Sequence, residues 1–230
     1  GIRTLIGGEG DDTGSDFNTD GYGTVGVVFQ VTDEVYLRNS NITGSNGVDT
    51  LKFSRDGVSV TEEIVDNLIN IDVIQTANGN NRFLFDDAYL TAGIETIIGG
   101  TGRDTIDMAS NTLYTPFNDD DIIAVDMSAG AGYTLVSTDT NFAFANVIGS
   151  TSAGYVIIDG SSIDDADFAH MNQGNIGELF MRSGGDKTVE LGENALGSGL
   201  DTLRVFSGNN DFDVSEFFGK LDLIGGDEND

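Results

Sequence analysis

Four short stretches bring an Asp to the end of a glycine-containing turn. They are residues 7–15 (GGEGDDTGS), 44–52 (GSNGVDTLK), 99–107 (GGTGRDTID) and 196–204 (LGSGLDTLR). A fifth, 205–213 (VFSGNNDFD), carries Asn210 at that position. The chain holds 39 acidic and 10 basic residues, a formal net charge of −29. So large a charge repels itself in a compact state. Bound divalent cations offset it, or a heavily solvated acidic surface tolerates it. Composition leaves both open, and an Asp in a turn can also cap it by bonding its own backbone.

Other chemistry has little to stand on. The single His is His170, and no GxSxG elbow, HExxH helix or phosphate-binding loop occurs. The acidic pairs Asp86-Asp87, Asp119-Asp120 and Asp164-Asp165 are adjacent in sequence. On a strand such neighbours point to opposite faces, so they make no acid/base couple. The thin spread of Lys and Arg offers no basic cluster for phosphate, which argues against nucleic acid and anionic membrane surfaces as partners. The expectation is a protein that is not an enzyme.

The elements that must position these turns come from an internal repeat. The stretch Ile71-Asp72-Val73-Ile74 through Asn81-Arg82-Phe83 aligns without a gap on Ile94-Glu95-Thr96-Ile97 through Asp104-Thr105-Ile106, 23 residues on. Each copy alternates apolar residues, passes a Gly/Asn-rich turn, and resumes at an apolar position. Related copies lie at 2–12, 42–51, 147–157, 179–186, 197–203, 208–212 and 223–230. A short strand, a sharp turn and another strand, repeated about every 20 residues, predict stacked repeats that together bury an apolar column. At the spacing of paired strands, about ten of them would make a rod on the order of 50 Å long. Residues 61–68 and 161–171 read as short helices that leave the stack as outward excursions. The aromatics Tyr22, Tyr36, Phe53, Phe83, Phe85, Phe180, Phe206, Phe212, Phe217 and Phe218 read as core. Two β-sandwich domains with coincidental turns are the competing architecture.

Residues 99–107 match the RTX nonapeptide, GGxGxDxUx with U a large apolar residue, at every fixed position. The copy at 44–52 departs only at the second Gly. The copy at 7–15 has Gly14 at the apolar position, and 196–204 lacks the first Gly. On these motifs the chain resembles RTX calcium-binding repeat proteins, found in large secreted bacterial surface-layer and adhesin proteins. The resemblance implies an all-β fold: a right-handed parallel β-helix or β-roll solenoid with irregular inserts, continuous over residues 1–230. It also implies Ca²⁺ held by Asp carboxylates and turn carbonyls, a hard cation that takes six to eight oxygens. Carried over, the candidate ligands are Asp104, Asp49, Asp12 and Asp201, with carbonyls at Gly102, Gly47, Gly10 and Gly199. Asp230 occupies the Asp position of a terminal partial motif. Asn81 stacks one repeat before Asp104 in this register and would ligate less strongly than a carboxylate.

The functional expectation is an extracellular or cell-surface structural segment, stabilised by calcium, that packs against copies of itself or other surface proteins. The chain reads as part of something longer. The absence of Cys excludes disulfides and thiolate metal sites. No run of about 18 apolar residues occurs, so no membrane insertion is expected. The alternatives are an accessory calcium-binding module of a type I secreted enzyme, and a β-helix that binds or processes polysaccharide.

Overall fold

The structure, a computed structural model, describes residues 3–6, 17–18, 26–38, 40–85, 87–109 and 123–226. Short strands dominate, and all pair in parallel. Seven strands form one sheet in chain order: Arg3–Ile6, Val27–Val31, Thr50–Phe53, Val73–Gln75, Thr96–Ile98, Ile123–Asp126 and Ala145–Ile148. Eight form a second: Ser59–Val60, Arg82–Leu84, Asp104–Asp107, Tyr133–Ser137, Gly154–Ile158, Ile176–Met181, Thr202–Val205 and Asp222–Ile224. Two three-stranded sheets complete the set, one of Phe17–Asn18, Ile42–Thr43 and Leu68–Ile69, the other of Ser162–Ile163, Lys187–Glu190 and Asn210–Asp213. Among the described residues the sheets are open, each edge strand pairing on one side. From Val73 to Ile158 the chain alternates between the first two sheets, and beyond that it alternates between the second sheet and the Ser162–Ile163, Lys187–Glu190 and Asn210–Asp213 sheet, so each strand meets its equivalent one repeat later.

Alternation in sequence becomes alternation in burial. In Val27–Val31 the odd positions are buried and the even ones half-buried. The inward residues line up across repeats. In the first sheet Phe29, Leu51, Ile74, Ile97, Val125 and Val147 are successive register partners. In the second, Val60, Phe83, Ile106, Leu135, Val156, Leu179, Leu203 and Leu223 are. All are buried except Leu223, 46% exposed on the outermost strand. The pairs Ile74–Ile97 and Phe83–Ile106 are those the 23-residue repeat predicts.

Both expected helices form: an α-helix at Glu62–Val65 and a 3-10 turn at Asp165–Phe168. Asp164 caps the second, accepting from the Ala166 and Asp167 N–H groups. Neither leaves the stack. Ile64, Val65 and Phe168 are buried in the core, and Phe168 meets Phe142 edge to face at 5.1 Å. Without an apolar partner, helices of one turn have no stability of their own. Among the aromatics, Phe53, Phe83, Phe85 and Phe217 are core, and Phe180 and Phe212 are half-buried. Phe206 and Phe218 are instead 60% and 80% exposed. Tyr22 and the side chain of Tyr36 lie outside the described residues.

Replacing Ile106 by Ala removes a fully buried partner of both Phe83 and Leu135. Urea unfolding should show a loss of about 2–5 kcal/mol. The same truncation at exposed Phe218 should change stability by no more than about 0.5 kcal/mol.

Candidate functional site

The nonapeptide at 99–107 folds as a tight turn laid on the turn one repeat earlier. A Cβ on Gly100 would lie 1.7 Å from the Ala77 carbonyl oxygen, and one on Gly102 would lie 2.0 Å from that of Gly79. Glycine is required here by the approach of two backbones. The turn ends on Asp104, which opens the strand Asp104–Asp107 and is fully buried. Ile106 points inward from that strand.

Asp104 meets Asn81, as the register predicts. Its Oδ1 accepts from the Asn81 backbone N–H and from Asn81 Nδ2, each at 2.8 Å. Asn81 Oδ1 in turn accepts from the Val58 N–H at 3.1 Å. Asn81 Nδ2 also reaches the carbonyls of Ala77 and Gly79. One polar column thus joins residues 58, 81 and 104 across three repeats. The Gly102 carbonyl, a predicted ligand, accepts from the Ala131 N–H at 2.8 Å.

Asp49 stands at a different corner, before the first sheet. It too is fully buried. Its Oδ1 accepts from the Val27 N–H, and its Oδ2 accepts from the Ser45 N–H and from Ser45 Oγ at 2.9 Å. Its own N–H donates to Asp72 Oδ2 at 2.7 Å. Gly47 donates its N–H to Ser45 Oγ. Asp72 and Ser45 are the members of this network that motif reasoning passed over. Asp72 sat inside the recognised repeat, 23 residues after Asp49, and that spacing was its signal.

Asp201 is exposed and makes no side-chain column. It follows the helix Glu193–Gly197, which ends at Ser198 with Gly199 just beyond at φ +84°. That is a glycine ending a helix, not a stacked nonapeptide turn. Asp12, Gly10 and Asp230 lie outside the described residues.

A calcium ion needs several oxygens free to face one point. At Asp49 both carboxylate oxygens already accept N–H or O–H donors. At Asp104, Oδ1 takes two donors, while Oδ2 is buried with no hydrogen-bond partner. That oxygen lies against the Gly99 backbone, where an added Cβ would come within 2.4 Å of it and 2.6 Å of Met127 Sδ. Among the described residues, no group of three or more His, Cys, Asp or Glu is placed to hold a metal ion. The residues at these two turns do not fit calcium.

The turn at 183–186 holds a cation of another kind. Lys187 is buried, and its Nζ donates to the Gly185 carbonyl at 2.6 Å. Burial pushes its pKa down, with Asp186 opposing. Elsewhere, a cavity of about 400 Å³ is lined by Asp139, Ser162, Asp164, Asp167, Thr188 and Glu190 among others. Burial raises the Asp167 pKa, against a hydrogen bond from the Asp164 N–H, and the charges of Asp164 and Asp139 raise it further. The Asp164 and Asp167 carboxylates are engaged in the helix cap.

Burial raises the Asp104 pKa above its ordinary 3.8, although the hydrogen bonds from Asn81 pull it back. The folded chain therefore holds that proton more tightly than the unfolded chain. The stability Asp104 contributes is present below 3.8 and is lost as pH rises through the folded value. Asp104→Asn keeps an oxygen for the Asn81 donors and removes the buried charge. Thermal melts should show a gain on the order of 1 kcal/mol at neutral pH that shrinks in acid.

No family model, curated protein or solved structure matches the chain.

Proposed function

We propose that the chain is a structural or adhesive segment of a secreted bacterial surface protein, built as a right-handed parallel β-solenoid. In this reading it packs against copies of itself or neighbouring surface proteins and carries no catalytic site. The observation that carries the reading is the pair of apolar columns running in register through successive repeats. A stack of this kind is a spacer whose length grows with repeat number. The outermost described strand, Asp222–Ile224, pairs on one side only and exposes Leu223 and Ile224. Exposed apolar side chains of this kind offer a neighbour a contact.

The acidic exterior supports an extracellular setting. Arg55, Arg82, Arg182 and Arg204 pair with acids on adjacent repeats, namely Asp33, Asp107, Asp159 and Glu178. With 39 acids against 10 bases, acids outnumber the bases that could pair with them about fourfold. Calcium enters this reading as an exterior counter-ion that screens their repulsion. No described helix is long and apolar enough to cross a membrane. The cavity beside Asp139 and Glu190 has no aromatic wall on which a sugar ring could stack.

Sedimentation velocity across protein concentrations, in EGTA and in millimolar calcium, tests the proposal. Association into linear oligomers is expected, stronger with calcium and weakened by Leu223→Lys. A chain that stays monomeric throughout, yet binds a soluble polysaccharide, would overturn it in favour of a carbohydrate-binding role.

A further inference from the structure

The two nonapeptide-like turns with buried Asp residues share a pattern that a metal site does not explain. At each corner, a side chain accepts the backbone N–H of the equivalent position one repeat earlier. Asp49 does so for Val27, 22 residues before it, and Asp72 for Asp49, 23 before. Asn81 does so for Val58 and Asp104 for Asn81, each 23 before. Two independent corners and four side chains follow one rule. These N–H groups lie where turns lead into strands.

We infer that Asp49 and Asp104 are staples between repeats rather than calcium ligands, and that these turns fold without the ion. At Asp49 donors occupy both carboxylate oxygens, and at Asp104 they occupy Oδ1 while Oδ2 is packed against Gly99 and Met127. Asn81 shows the same logic from the other side. It must accept from Val58 and donate to Asp104 at once, which an amide does and a carboxylate cannot. A second Asp there would set two carboxylates against each other. At the turn of residues 183–186 the Gly185 carbonyl already has its cation, the Lys187 ammonium. The inference stands whether or not the chain self-associates, because it concerns bonds inside one molecule.

Amide hydrogen exchange of the wild-type chain, at a dilution where it is monomeric, is the direct test. The Val27, Asp49, Val58 and Asn81 amides should be protected in EGTA to within about tenfold of their protection in calcium. Asp49→Asn places an NH₂ against an N–H donor. It should lower the melting temperature equally in EGTA and in calcium, or prevent folding in both. Asp104→Asn, which keeps its acceptor, should fold in both. A wild-type chain unfolded in EGTA, or amides protected only with calcium, overturns the inference. So does an Asp49→Asn variant that is silent in EGTA and loses only a calcium-dependent gain.

Discussion

A stack of parallel strands satisfies its backbone along the strands and leaves it at risk at the corners. Between strands the chain turns, the ladder is interrupted, and an N–H on the inner side faces neither water nor a carbonyl. A buried amide without a partner costs about 1–3 kcal/mol. Repeated at every corner, that would undo what the apolar columns contribute. Asp and Asn at spacings of 22 or 23 residues meet the constraint, reaching one repeat back to accept these donors. The reach works because the turns lie close together, and Gly100 and Gly102 leave room for the carbonyls of Ala77 and Gly79. The glycines and the acids of the nonapeptide are thus two halves of one packing solution.

The same spacing organises the rest. Because the period is set by the corners, apolar residues fall into register and build continuous columns. A one-residue slip would turn every inward side chain outward. Charged residues follow the period as well. Arg82 reaches Asp107, and Arg182 Nε reaches Asp159 at 2.7 Å. Exposed pairs of this kind are individually worth little. Their effect here is to place scarce positive charge between repeats, where acidic neighbours would otherwise repel. The short helices fill the remaining side of the core, with Phe142 against Phe168 and Tyr89 stacked on Phe85 at 3.8 Å.

Much of this was legible in the sequence because the repeat is a local signal. The pairing of Ile74 with Ile97 and of Asn81 with Asp104 follows from matching two stretches 23 residues apart. The short helices at Glu62–Val65 and Asp165–Phe168 were legible too, but not their direction, and those at Asp87–Ala92 and Asp139–Phe142 were not. A capping residue marks where a helix starts, whereas inward packing depends on Phe142 and Phe168 meeting in space. Phe206 and Phe218 failed as core residues because composition does not show which way a side chain faces: Phe206 follows the strand Thr202–Val205, which is paired on both sides, and is still exposed. The turn at 196–204 keeps the glycine and Asp of the motif, with Gly199 placed just after the end of a helix.

The buried acids were the least legible feature, and the reason is chemical. A carboxylate at the end of a glycine-rich turn can face a cation or an N–H, since both present positive charge. What separates the two roles is the number of oxygens left free, and motif spelling does not encode it. At Asp49 the deciding residues are Ser45 and Val27, four and 22 positions away. At Asp104 it is Asn81, where a ligand-rich array would call for a second acid. An Asn alternating with an Asp along one column therefore carries information that an isolated nonapeptide lacks. Donor and acceptor must alternate along a hydrogen-bonded column, whereas ligands around a cation must all be acceptors.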